Sequence, residues 1–303
     1  MKLSILIPTF NRSKDLLKNI NLLNKYIREG KYSKQIELVV SNNNSTDNTD
    51  EIVKNYLKEN NNINMQYFIQ DENIGLEMNA LFVLEKALGA FVMYLGDDDF
   101  IDYEYLDKSI DHLNSNPKTF TIIPNYIPID IDGIQINKGR DDGLPNFLCK
   151  RGFKNCLKNS WRGHQLSGIV LKKENLLSIY QKHDVSNIYL FIFFVAYSCL
   201  KGDTYHFTEF PVKVTQPGQE NKDWSYGRDG LLNEVFDNYL KLPINYFSRT
   251  LLQLNIYVKQ SWRLWKYYSI SRKEFFKVFL NILVSKNSTF GFKIVFPFIV
   301  FMQ

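Results

Sequence analysis

With 303 residues and 45% hydrophobic content, the chain can bury a large core, which excludes global disorder. Its 37 basic and 32 acidic residues leave a net charge of +5, which is no nucleic-acid footprint. Cys149, Cys156 and Cys199 fit no C-x-x-C spacing, which argues against a disulfide framework or zinc site and fits a reducing, cytoplasmic compartment.

The predicted elements alternate through the first hundred residues. "KLSILI" is a strand ending at Pro8, too short for a signal-peptide core, and "RSKDLLKNINLLNKYI" follows at helical spacing. "IELVVS" is a second strand, "TDNTDEIVKNYLKE" a capped helix, and "NMQYFIQ" a third strand. "GLEMNALFVLEKAL" is a third helix closed by Gly89, and "AFVMYLG" a fourth strand. Such alternation predicts an α/β fold: a mostly parallel sheet with helices on both faces and ligands at the carboxyl ends of its strands. Three polar clusters fall there: "PTFNR" (8–12), "SNNNSTD" (41–47) and "GDDD" (96–99).

Beyond residue 100 the pattern loosens. "TFTIIPNYIPIDIDGIQIN" reads as strands turning at Asp132-Gly133, and "LSGIVLKK" and "TYHFTEFPVKV" as further strands. The apolar stretch 188–200 between them falls short of the ~20 residues of a spanning helix and reads as a core helix. Residues 216–230 read as a mobile loop, and 231–303 as a helical, aromatic and basic C-terminal region following a domain at 1–215.

No G-x-G-x-x-G or Walker glycine loop follows the first strand, so a bound phosphate lacks its usual cradle. A divalent cation, Mg²⁺ or Mn²⁺ held by aspartates, is the alternative way to neutralise it. The competing reading of Asp97, Asp98 and Asp99 is a solvated turn that caps the next helix. A nucleotidyltransferase shares such a sheet, but it would place glycines where "PTFNRSK" has none.

The four motifs "IPTFNR", "VVSNNNSTD", Asn73-x-Gly75 with Asn79, and "YLGDDD" come in an order that resembles the inverting glycosyltransferases of family 2, with the GT-A fold. "LGDDD", "SGIVLKKE" and "KGDTYHFTEFPV" resemble the branch containing abequosyltransferase-type O-antigen enzymes. The resemblance implies a nucleotide-sugar donor and a saccharide or lipid-linked saccharide acceptor. It places Pro8, Thr9, Asn11, Arg12, Asn42, Asn73, Gly75 and Asn79 in the donor pocket. It makes Asp98 the principal metal ligand with Asp99 beside it, while a literal D-x-D reading chooses Asp97 and Asp99. Gly96 and Met78 stand where relatives carry an acid and an arginine. Asp47 is retained from the family motif and reads as a helix cap. The family's catalytic base aligns with Leu190-Phe191, both apolar, which leaves Asp184 and then His164 as candidates.

Trp224 and Arg228 in the 216–230 loop are expected to close over the donor. Interleaved aromatic and basic residues from Trp262 to Lys277 predict a helix at the inner membrane surface; packing back on the core or a homodimer contact is the alternative. The missing base also leaves open a degenerate relative that binds sugar nucleotides without turnover.

Overall fold

The structure is a computed structural model describing residues 2–216 and 231–302. Its first four strands are β1 (Leu3–Thr9), β2 (Ile36–Asn42), β3 (Met65–Ile69) and β4 (Phe91–Tyr94). The helices between and after them are α1 (Ser13–Glu29), α2 (Thr49–Glu59), α3 (Gly75–Lys86) and α4 (Tyr103–Ser115). Four more strands complete the sheet: β5 (Thr119–Ile129), β6 (Phe147–Cys149), β7 (Val170–Lys172) and β8 (Asp203–Thr215). Their order is β3-β2-β1-β4-β7-β5-β8-β6, and only β6 and β7 run against the rest. The mostly parallel sheet of the GT-A fold is therefore present. The turn at Asp132-Gly133 forms with Gly133 at φ +84°, but its return arm makes a single bridge, Ile129–Gln135. Ile131 and Ile134 there are exposed, so no apolar face holds the arm down.

Helices cover both faces. On one, α1, α2 and α4 bury Leu16, Ile20, Val53, Tyr105 and Ile110 against β1, β2 and β4. On the other lie α3, α5 (Phe153–Asn159), α6 (Leu176–Lys182) and α7 (Leu190–Lys201). Helix α7 is the 188–200 stretch, and it buries almost every residue, which explains its lack of a polar face.

Among the described residues five helices follow β8: α8 (Leu231–Leu240), α9 (Tyr246–Lys259), α10 (Trp262–Ile270), α11 (Arg272–Val284) and α12 (Phe290–Met302). Their Tyr239, Leu252, Ile256 and Phe292 join the same core as Phe191 and Phe194 of α7. The C-terminal region thus extends the hydrophobic layer over the sheet. Among the described residues no helix is long and apolar enough to cross a membrane.

Candidate active site

Parallel register brings the ends of β1, β2 and β4 to one edge, where Thr9 pairs with Asn42 and Leu6 with Tyr94. Past that edge the chain makes the loop Gly96–Asp99. The Nδ2 of Asn19, on α1, donates to the carbonyls of Gly96 (3.0 Å) and Asp99 (2.8 Å) and fixes this loop.

The three aspartates then diverge. Thr9 Oγ1 donates to Asp97 Oδ2 at 2.6 Å, and Arg12 Nη1 to Asp98 Oδ2 at 2.9 Å. Asp99 turns into the protein and is 5% exposed. Its Oδ2 accepts from the Ser167 hydroxyl and from Gln165 Nε2 (3.2 Å), and its Oδ1 from the Thr215 N–H (3.0 Å). Burial pushes Asp97 up to about 6, opposed by the Thr9 hydrogen bond and reinforced by the charge of Asp98. Burial, with Asp98 beside it, pushes Asp99 up to about 7. Arg12 loses solvation, yet the carboxylates of Asp98, Asp97 and Asp15 hold its guanidinium above its usual range. A Cβ on Gly96 would lie 2.9 Å from Asp99 Oδ2 and 3.3 Å from Asp98 Oδ1. The glycine at that position therefore goes with the inward turn of Asp99.

Next to these aspartates opens a cleft of about 490 Å³. It brings together Pro8, Thr9, Arg12, Asn73, Gly75, Asn79 and Asp97 of the predicted set, with Leu166 and Phe191 among its apolar lining. Gly75 opens α3 at φ +81°, a conformation that suits glycine. Asn79 donates Nδ2 to the Ser41 carbonyl (3.1 Å) and keeps Oδ1 buried without a donor among the described residues. A ligand N–H or O–H is the natural complement of that oxygen.

Other predicted residues stand elsewhere. Asn42 spends its amide on Tyr67 and on the Ser45 N–H, and the cleft is lined instead by Asn43, which also holds Asn73 and the Ile74 N–H. Strand alternation, which points neighbouring side chains to opposite faces, was the signal that could have found Asn43. Asn11, left-handed at φ +54°, accepts from the Thr46 N–H and ties the β1 loop to the β2 loop. Asp47 links the starts of α1 and α2 through the Ser13 and Thr49 N–H groups.

Asp184 is exposed in a left-handed turn after α6, and its carbonyl accepts from Lys241; it does not line the cleft. His164 is also absent from the lining and stands two residues before Leu166, stacked on Trp161 (5.9 Å). Burial, with Arg140 nearby, pushes it down to about 3. Its Nδ1 lies 2.9 Å from the Trp161 carbonyl, so Nδ1 carries the proton and Nε2 the lone pair. Trp224 and Arg228 lie outside the described residues.

The model of "Glycosyl transferase family 2" matches residues 4–161, and the chain belongs to that family. Abequosyltransferase RfbV of Salmonella typhimurium is 25% identical over 83% of this chain and 77% of its own. GalNAc(5)-diNAcBac-PP-undecaprenol beta-1,3-glucosyltransferase of Campylobacter jejuni is 37% identical over 32% of this chain, and the match spans only 30% of that enzyme. The crystal structure of S. aureus TarS 1–349 with UDP-GlcNAc aligns at TM-score 0.68 and 17% identity, covering 93% of this chain and 80% of that one. Mannosyltransferase PcManGT of Pyrobaculum calidifontis, solved with GDP-Man and Mn²⁺, aligns at 0.57 and 11% identity, covering 99% and 80%. At these identities the structural likenesses establish the fold.

Proposed function

We propose that the protein transfers a sugar, with inversion, from a nucleotide-diphosphate sugar to a lipid-linked or surface-polysaccharide acceptor. The carrying observation is that Thr9, Arg12 and Asp97 line one cleft, with Thr9 bonded to Asp97 and Arg12 holding Asp98, which is itself outside the lining. The PP-undecaprenol acceptor named for the Campylobacter relative supports the acceptor class, and peripheral work at a membrane surface fits such an acceptor.

The carboxylates fit Mg²⁺ or Mn²⁺. Among the described residues no group of three or more His, Cys, Asp and Glu side chains forms a self-sufficient metal cage. Hard cations of this kind need only one or two carboxylates when phosphate oxygens complete the shell. Asp97 and Asp98 are the residues that would hold the ion, and Asp99 anchors their loop. A bound ion supplies positive charge to the departing diphosphate. Arg12 supplies a fixed charge to the same end of the cleft, and Asn43, Asn73 and Asn79 orient the donor.

In the reaction the acceptor oxygen bonds to the anomeric carbon while the bond to the diphosphate breaks, its electron pair leaving on the phosphate oxygen. The hydroxyl proton needs a receiver. Neither candidate is placed for it: exposed Asp184 stands away from the cleft lining, and His164, also absent from the lining, is held down to about 3 by burial, too weak a base to take that proton near neutral pH. Phe191 in the cleft wall favours a second reading, a donor binder without turnover. Consumption of UDP-, GDP-, CDP- and dTDP-sugars, measured beside their binding, separates the two: turnover supports the enzyme, and binding without turnover supports the binder.

A further inference from the structure

Two adjacent C-terminal helices each carry an exposed apolar stripe at four-residue intervals. On α11 Phe276, Leu280 and Val284 are 48%, 54% and 73% exposed, and on α12 Phe290, Ile294 and Phe298 are 71%, 51% and 68% exposed. The opposite stripes, Phe275, Phe279 and Ile282 on α11 and Phe292, Phe296 and Val300 on α12, are buried. Ring contacts of Phe279 with Phe296 (5.1 Å) and with exposed Phe301 (5.9 Å) join the two helices. The core has therefore taken one face of each helix and left the other apolar face to solvent, where monomeric proteins rarely keep a large patch.

We infer that the α11–α12 face is a seat for an anionic lipid surface, lying in the interface plane. This inference rests on the peripheral-membrane part of the proposed function and deepens it. Charge decides the occupant. Over residues 272–302, Arg272, Lys273, Lys277, Lys286 and Lys293 accompany one acid, Glu274. Two-fold pairing of such a face would set like charge against like charge, whereas anionic headgroups complement it. Helix length sets the geometry. Each of the two helices has 13 residues, too few to cross a bilayer and enough to lie along its surface. The sequence placed the membrane segment around Trp262–Lys277; within it Leu264, Tyr267 and Phe275 are buried while Trp262, Tyr268, Ile270 and Phe276 are exposed, so the proposed seat extends that segment toward the C-terminus.

The test is flotation of the full chain with vesicles of phosphatidylcholine containing about one-third phosphatidylglycerol, and with phosphatidylcholine alone. The wild type is expected to float with the mixed vesicles and to lose most binding in high salt. The triple variant L280S/F290S/F298S is expected to lose roughly tenfold or more of the bound fraction. K273E/K277E is expected to lose the preference for anionic lipid. Failure of the wild type to float overturns the inference, as does flotation of the triple variant like the wild type. A dimer in solution that the triple variant dissolves also overturns it, in favour of a second copy. Donor consumption without vesicles is measured on the same preparations, so failure of the lipid seat and failure of the transferase reading are told apart.

Discussion

Asp97, Asp98 and Asp99 are chemically identical, and their surroundings give them different work. Asp99 is held by Ser167, Gln165 and Thr215, so exchanging one oxygen for an amide misplaces a donor against at least one of these groups. Asp99→Asn is expected to cost about 1–3 kcal/mol of stability, read from the denaturation midpoint. Asp98→Asn is expected to leave the midpoint nearly unchanged and to lower turnover at least about a hundredfold; equal effects of the two variants would remove the distinction. His164 has a signature in acid. An unfolded histidine takes up a proton near 6.5, while the folded ring refuses it until about 3. The unfolded chain thus binds more protons across that window, and stability falls as pH drops from 6.5 toward 3. Buried His206 adds to the same trend. His164→Gln is expected to flatten the slope of melting temperature against pH, and an unchanged slope would contradict the assignment.

At the scale of elements, β1 to β4 and their helices were legible because strand and helix periodicity are local and both faces of the sheet are covered. The return arm after Asp132-Gly133 was not, because its pairing depends on a partner face that the fold does not supply. The inward turn of Asp99 was equally hidden, since its partners lie 68 and 116 residues away in sequence. Among the polar residues ending β2, motif alignment selected Asn42 where the cleft is lined by Asn43. The C-terminal helices were legible as amphipathic, but which stripe the core would take was not. Phe292, fully buried against Phe236 (4.8 Å) and Phe296 (5.0 Å), shows the outcome. Phe292→Ala is expected to cost about 3–5 kcal/mol. Because α12 shares its core with α7, the loss should appear in one cooperative unfolding transition of the whole chain. A separate early transition confined to the C-terminal helices would contradict the shared core.

For the whole molecule, a family 2 glycosyltransferase fold positions a cleft at the strand ends, with Asp97 in its lining and Asp98 next along the chain, and a basic apolar face on its C-terminal helices. The proposed donor site and the proposed lipid seat occupy separate parts of the chain, so each is expected to be disabled without the other. The central claim concerns the first of these. Its most direct test is release of nucleoside diphosphate from a panel of nucleotide sugars, with added Mn²⁺ and with chelator, for the wild type and for Asp98→Asn. The account predicts that the wild type consumes one donor class with Mn²⁺ and loses this activity with chelator, and that folded Asp98→Asn is at least about a hundredfold slower. Full activity of Asp98→Asn in chelator, or no consumption of any donor by folded wild type, would contradict it.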